Sequence, residues 1–456
     1  MKGMVTNMKR ITALLLLSAL LLTLFSGCAK NQDAEPTVSS TEAPSEAAEF
    51  IEPDSETLKL YHYSITETAA DDPLMQATVA VDTNDNPCLG NADLQIYYWI
   101  EFYNFMNSYG SYAAYFGLDY TKPLGEQDSM SEGMTWEQYF LLSALEHFRE
   151  NYALAQAAYA DGYTLSEEDE KMVNDVTDPD SDFAKEYQGN GYDSADAYLR
   201  ASFGDGVTTE NYQNYLRLYY AAYDYYTKQR EAVADTFSAE EVEAYFDENA
   251  QPASGEGDDA TEAGKYAGTP KVTNVSVRHI LIQPDGEKDA TTQDWSEEAW
   301  AAAEEKVNEV YARWQENPTE ENFALIANEE SADGDGTTGG LYEDFAPGSM
   351  TQNFNDWCFD EARNEGDTGI VRTEYGYHII YFLGHTETQA WYNTALNDMV
   401  SEKMTDVMEQ ALADYPVRFD YAHMRVFDLI SANAEEEATE GETQDESTTE
   451  LPEASE

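Results

Sequence analysis

Apolar residues recur at Ala299, Ala303, Val307, Val310, Tyr311 and Trp314, a spacing that predicts a helix over Ser296 to Glu316 with one buried face. Around it the period changes. Val272 to Ile282 reads as an apolar strand interrupted by His279, and the stretch opened by Gly376 reads as another, interrupted by His378. Between them the pattern predicts a helix over Glu320 to Asn328, a short strand, a helix over Phe354 to Glu361 and a further strand. Upstream, from about Asn91 to Ala250, the chain reads as helical. Thr135-Trp-Glu-Gln138 is a capping-box start, followed by Phe140, Leu141, Ala144, Leu145 and Phe148 at helical spacing. Ser166 and Ser238 open further helices in the same way. Tyr212, Tyr215, Leu216, Tyr219, Tyr223 and Tyr226 form an aromatic stripe that serves either as core packing or as a wall for binding other chains. Thr388 to Tyr415 is helical again, with Trp391, Leu396, Met399, Met404 and Met408. An isolated apolar helix is marginal in water. It is therefore expected to pack back on the first helical region, leaving the mixed α/β stretch as an insertion.

The ends of the chain differ from its middle. Lys9-Arg10, an almost wholly apolar run from Ile11 to Phe25, and Ser26-Gly27-Cys28 read as an export signal over residues 1–27. The apolar run is short for a membrane span. Cys28 directly after Ser-Gly is similar to a bacterial lipobox, although Phe25 stands where Leu is usual. Cys28 is thus the expected lipidation site, anchoring the chain at the extracytoplasmic face of the cell membrane. Residues 28–57 and 433–456 are rich in Glu, Ser, Thr, Ala and Pro and poor in aromatics. They are expected to be an acidic tether and an acidic tail, neither with enough apolar surface to offset ordering entropy. The remaining divisions are a helical domain over 58–250, a linker over 251–270, a mixed α/β domain over 271–386 and the C-terminal helical segment over 387–432.

Charge narrows the partners. The 456 residues carry a formal net charge of −66, with 90 Asp and Glu against 24 Lys and Arg. Nucleic acid is excluded as a partner, because binding it depends on neutralising phosphates with Lys and Arg. Anionic headgroups should likewise repel this surface, so attachment falls to the lipid. Cys88 and Cys358 lie far apart in different candidate domains and are expected to be free thiols. No third ligand stands near the histidines at metal spacing, and no cofactor motif is present.

The mixed α/β stretch carries an ordered series: Val277-Arg-His279-Ile-Leu-Ile, Phe323-Ala-Leu-Ile-Ala327, Ser331-Ala-Asp333, Gly339-Gly340-Leu341, Gly348-Ser-Met350-Thr-Gln-Asn-Phe354 and Thr373-Glu-Tyr-Gly376-Tyr377-His378-Ile-Ile. It resembles the parvulin family of peptidyl-prolyl cis/trans isomerases. The arrangement as a whole resembles the parvulin-type foldase lipoproteins and periplasmic chaperones of the PrsA and SurA groups. The specific part of the likeness covers the mixed stretch; over the rest it is architectural.

The resemblance implies an α+β fold: a parvulin-like β-α-β domain, a small antiparallel sheet with surrounding helices, inserted in or appended to an all-α chaperone domain. It implies a pocket as well. Met350 and Phe354 fall where parvulins place the apolar slot for the proline ring, with Tyr342 or its neighbour Leu341 as the third member. His279 and His378, two of six histidines in the chain, fall at the paired histidines on adjacent strands. Asp333, with Asp335 as rival, falls beside the substrate carbonyl, and Thr373 and Tyr377 fall at further wall positions. Gly376 allows the tight turn before the last strand. The run Gly339-Gly340-Leu341-Tyr342-Glu343 lacks the family's usual Asp and final Gly, which bears on the shape of the slot. The loop Gln283-Pro-Asp-Gly-Glu-Lys-Asp289 is mostly acidic, unlike the basic clamp of phosphate-directed members. The expected clients are unfolded or partly folded exported polypeptides with X-Pro bonds. Two activities fit: an isomerase, or a client-holding chaperone whose parvulin-like domain is inert.

Overall fold

The computed structural model describes residues 53–66, 73–253, 262–288, 294–334 and 336–432. The export signal, Cys28, most of the tether, the acidic tail and Asp335 lie outside the described residues. In chain order the elements are α1 (Ser55–Leu58), β1 (Ser64–Ile65), β2 (Thr78–Val81), β3 (Pro87–Gly90), α2 (Asn91–Tyr109), α3 (Trp136–Ala160), α4 (Glu167–Asp175), α5 (Asp182–Gly189), α6 (Ala195–Phe203), α7 (Thr209–Ala234) and α8 (Ala239–Asn249). Then follow β4 (Val275–Ile282), α9 (Glu297–Gln315), α10 (Glu320–Glu330), β5 (Leu341–Phe345), α11 (Gln352–Cys358), β6 (Thr368–Thr373), β7 (Gly376–His385), α12 (Ala390–Asp414), β8 (Arg418–Phe419) and β9 (Val426–Phe427). The chain divides into two compact units. One runs from Ala232 to Lys403; the other combines the residues up to Glu231 with those from Met404 onward.

The discontinuous unit is mainly helical. Its core gathers Trp99, Phe102, Trp136, Phe140, Phe148 and Phe203 with the stripe Tyr212, Tyr215, Leu216 and Tyr219. Burial of these tyrosines makes them core, not an open wall. The expected caps form: Thr135 and Gln138 make a reciprocal capping box at α3, and Ser166 caps α4. Among its described residues the unit also has five short strands, a departure from an all-α domain. β1 pairs with β9 in parallel, and β2 lies between β3 and β8. Strands of two to four residues are too short to carry a periodic signal, and their partners sit at opposite ends of the chain.

Buried polar side chains fasten that closure. Gln95 donates to the carbonyl of Arg425 at 2.7 Å and accepts from the amide of Phe427 at 2.7 Å, while Trp99 Nε1 donates to the carbonyl of Phe427 at 3.2 Å. Glu137, fully buried, accepts from the amides of Tyr63 and Ser64. A buried carboxylate with several donors is satisfied rather than stranded.

The continuous unit is built on a four-stranded antiparallel sheet of order β5-β4-β7-β6. One face packs Ile280, Ile282 and Ile379 against Ala303, Val307, Val310 and Trp314 of α9 and Phe323 and Ile326 of α10. Ser296 caps α9 as its sequence suggests, and the buried residue of its first turn is Trp300 rather than Ala299. The opposite face packs Val275, Val277, Ile380 and Phe382 against Phe354 and Cys358 of α11. α8 also belongs to this unit: Val242 and Phe246 pack with Tyr266, Trp391, Ala395, Leu396 and Met399. The first half of α12 therefore packs on α8, whereas the segment from Met404 onward falls with the helical unit. Cys358 is buried, Cys88 is half-buried, and both are free.

Candidate active site

Alternation along β4 and β7 decides which side chains meet. In the register, His279 pairs with Ile380 and Leu281 with His378, so the two histidines stand on the same face, one diagonal step apart. Their Nδ1 atoms lie 3.2 Å apart. Both rings are almost fully buried, and Phe354 presents itself edge-on to each, 5.6 Å from His279 and 5.3 Å from His378. Thr373, at the end of β6, is buried beside them with Oγ1 2.8 Å from His378 Nε2.

The fourth member comes from the loop after α10. Ser331 Oγ accepts from the amide of Leu281 at 3.1 Å and from that of Asp333 at 3.2 Å, and the amide of Ala332 donates to the carbonyl of Leu281 at 2.8 Å. These bonds pin the loop to the end of β4 and set Asp333 Oδ2 3.3 Å from His279 Nε2. The same oxygen accepts from the hydroxyl of Tyr342 at 2.5 Å. The Tyr342 ring lies 4.4 Å from that of His279. Ser331 carries little in its local sequence to mark it out. Its signal was a hydroxyl at the end of a helix two residues before a carboxylate, a pattern common to many turns.

Backbone geometry supports this arrangement at Gly340. Its carbonyl accepts from the amide of His279 at 2.8 Å. Its φ is +66°, and an added Cβ would come within 2.1 Å of the His279 carbonyl oxygen. Only glycine allows β5 to approach β4 this closely.

Burial pushes both imidazoles down, His279 to about 4 and His378 to about 4, with Asp333 acting in the opposite sense on each and His279 adding to the fall at His378. Each ring is then neutral near pH 7 and has one N–H. The carboxylate of Asp333 faces Nε2 of His279 and can only accept, which assigns the proton to that nitrogen and makes Nδ1 an acceptor. His378 must then donate from Nδ1, leaving its Nε2 to accept from the Thr373 hydroxyl. Thr373 Oγ1 in turn accepts from the amide of Tyr375 at 3.1 Å. The chain of donors runs one way, from the Tyr375 amide to Asp333. The Tyr342 hydroxyl is raised in pKa by burial and then by its bond to Asp333; it acts as a donor.

The structure brings together His279, His378, Thr373, Asp333, Tyr342 and Phe354, with Met350 half-buried in the same cluster. Two candidates lie elsewhere. Leu341 pairs with Arg278 and so belongs to the opposite face, leaving Tyr342 beside His279. Tyr377 also turns away: it neighbours His378 along β7, packs at 5.6 Å against Trp300, and lies under Arg372. Strand alternation allows no other outcome for a residue next to His378. Among the described residues, no group of three or more His, Cys, Asp or Glu is arranged to hold a metal ion, and no helix is long and apolar enough to cross a membrane.

Residues 263–386 match the family model of the PPIC-type PPIASE domain. This stretch of the chain belongs to that domain family. The chain is also similar to "Foldase protein PrsA 1" of Listeria innocua serovar 6a, with 28% identity over 148 residues, 30% of this chain and 43% of the relative. A second relative, "Foldase protein PrsA 1" of Listeria monocytogenes serovar 1/2a, is 31% identical over 101 residues, 20% of this chain and 34% of the relative. The chain thus matches less than half the length of these relatives. Among solved structures, PrsA from Bacillus subtilis is 16% identical and covers 62% of this chain and 87% of its own, at a TM-score of 0.22. Foldase protein PrsA from Streptococcus pneumoniae is 16% identical, covering 59% and 82%, at a TM-score of 0.28. The PPIase domain contains every member of the buried histidine cluster.

Proposed function

We propose that the PPIase domain catalyses cis/trans isomerisation of X-Pro peptide bonds in exported polypeptides. The protein would be a foldase held by lipid at Cys28 on the extracytoplasmic face of the cell membrane, and its helical unit would hold unfolded or partly folded clients. The observation that carries this reading is the buried His279–His378 pair, with Thr373 hydrogen-bonded to His378, Asp333 3.3 Å from His279 and Phe354 packed against both rings.

Rotating a peptide bond breaks amide resonance, against a barrier of about 18–20 kcal/mol. No covalent bond has to form. A catalyst need only bind the twisted amide better than either planar form. Phe354 and Met350 offer an apolar surface for the proline ring, with Tyr342 as its third wall. The twisted carbonyl has lost resonance and polarity, and the acidic edge of Asp333, tied to His279 and Tyr342, disfavours the resonance form whose oxygen is most negative. The histidines serve to hold this wall: neutral, buried and hydrogen-bonded in one direction, they keep Asp333 and Thr373 in register.

The reading is tested by NMR exchange on an unphosphorylated X-Pro peptide with the full chain, beside His279→Ala and Asp333→Ala. Faster exchange with the unchanged protein, reduced in either variant, is the expected result. Absence of catalysis by a folded protein would leave a client-holding chaperone with an inert domain. Cleavage-dependent lipid labelling of the exported chain, lost in Cys28→Ser, checks the anchor.

A further inference from the structure

Tyr212, Tyr215 and Tyr219 of α7 are buried in the core, so clients held by the helical unit must meet another surface. Ten large apolar side chains are exposed among the described residues, and six of them stand in this unit at one end: Leu60, Tyr61, Tyr109, Tyr112, Tyr115 and Met130. The other four are scattered singly over α3, α4, α10 and the turn after β6.

That end is where the C-terminus of α2 meets the N-terminus of α3. The Phe105 ring lies 5.1 Å from Trp136 and 4.8 Å from Tyr109, and Tyr109 lies 4.8 Å from Phe116. These contacts seat a 3-10 helix, Gly110–Phe116, against the helix pair. Three residues per turn put Tyr112 and Tyr115 on one side of it, 74% and 88% exposed. At the start of α3, Gln138 Nε2 donates to the carbonyl of Tyr61 at 2.9 Å. The turn carrying Met130 closes just before the same helix, with the amide of Ser129 donating to the carbonyl of Met134 at 2.8 Å.

Charge sets this end apart as well. From Phe102 to Leu118 there is no Asp, Glu, Lys or Arg, the longest such run after Cys28. The border is acidic: Asp119 follows the run, and the exposed Asp128 and Glu132 stand on either side of Met130.

We propose that this charge-free aromatic end docks apolar segments of unfolded polypeptides that lack carboxylates, a site that rests on the client-holding role proposed for the helical unit and gives that role a place. Charge selects the occupant. A second copy of the chain would bring its own net charge of −66 against the acidic border, and anionic headgroups would meet the same repulsion. A neutral unfolded segment escapes it, and a basic one is drawn in. Tyrosine suits such an occupant, because each ring offers large apolar area at low entropic cost and its hydroxyl bonds to the backbone groups an unfolded segment leaves unpaired. Contiguous exposed apolar side chains mark a binding surface, which a single one does not.

The test is fluorescence anisotropy of a labelled peptide of Leu, Ser and Lys with the full chain at physiological salt. The peptide has no proline, so it does not report on the slot of the PPIase domain. Tyr112→Ser/Tyr115→Ser, at positions too exposed to disturb the fold, should weaken binding at least about fivefold. Tyr112→Phe/Tyr115→Phe should stay within about twofold, since it keeps the apolar area. Leu325→Ser, at an isolated exposed position of α10, should also stay within about twofold. Unchanged binding in the serine double variant would overturn the site and leave the client-holding role standing; no binding by the unchanged protein would overturn both. A dimer, or co-flotation with phosphatidylcholine vesicles, that the serine double variant abolishes would assign the patch to a second copy or a bilayer and overturn the proposal too.

Discussion

The two faces of the four-stranded sheet are made by the same strands and do different work. Toward α9 and α10 stand Ile280, Ile282 and Ile379, a dry aliphatic layer whose contacts are all dispersion and burial. Toward α11 the same face that packs Val275, Val277, Ile380 and Phe382 also carries His279, His378 and Thr373, equally buried but polar, and each finds a hydrogen-bond partner. The aliphatic face gains stability from every methylene. The polar face gains little, because buried polar groups at best recover what desolvation cost. Two buried histidines on strands that could carry Val or Ile are the physical argument for proposing a site on this face.

That contrast is open to direct attack. Ile379→Ala, on the aliphatic face, should lose about 2–5 kcal/mol in chemical denaturation, while the X-Pro exchange rate per folded molecule stays near that of the unchanged protein. Comparable loss of stability from Thr373→Val would erase the distinction. Gly340→Ala should cost about 1–3 kcal/mol from the strained φ alone and also slow isomerisation, because the clash is with the backbone of His279 itself.

The polar face should also show in pH. Both histidines titrate near 4 in the folded protein against 6.5 unfolded, so the unfolded chain binds more protons between those values. Their contribution to stability is therefore complete above about 6.5 and falls away as the pH drops toward 4. A melting temperature that declines over that window, and declines less in His279→Gln/His378→Gln, is the expected result; an identical decline in the double variant would assign the effect to carboxylates. The smallest effect belongs to Tyr342→Phe. Losing one hydrogen bond to Asp333 should change stability by about 0.5–1.5 kcal/mol and the exchange rate modestly. If the rate instead collapses, the Tyr342 hydroxyl touches the reacting carbonyl and is more than a wall.

Much of this site was legible from local pattern. A histidine inside an apolar run marks a strand position that is buried and polar, and His279 and His378 each stand so. Phe354 and Met350 were placed near them only by the resemblance to the parvulin family. What local pattern left open were choices between neighbours. Leu341 and Tyr342 differ by one residue and therefore by a whole face, and the choice between them was settled by a register irregularity between β4 and β5 that leaves Val277 opposite Tyr342. Tyr377 fell to the aliphatic face by alternation alone, as the neighbour of His378 along β7. The helical unit repeats the lesson on a larger scale: α2 and α3 were readable from their stripes and caps, but nothing local announces that Gln95 and Trp99 will clasp Arg425 and Phe427.

By itself, then, the sequence determined the elements of the PPIase domain, their order and the extreme acidity of the whole chain, because periodicity, capping and charge are properties of neighbouring residues. Only the tertiary structure decided that His279 and His378 meet at 3.2 Å, that Ser331 delivers Asp333 to them, and that short strands near Ser64 and Val426 close the helical unit. Those outcomes rest on hydrogen bonds between residues far apart in the chain, whose register depends on every layer packed above and below them.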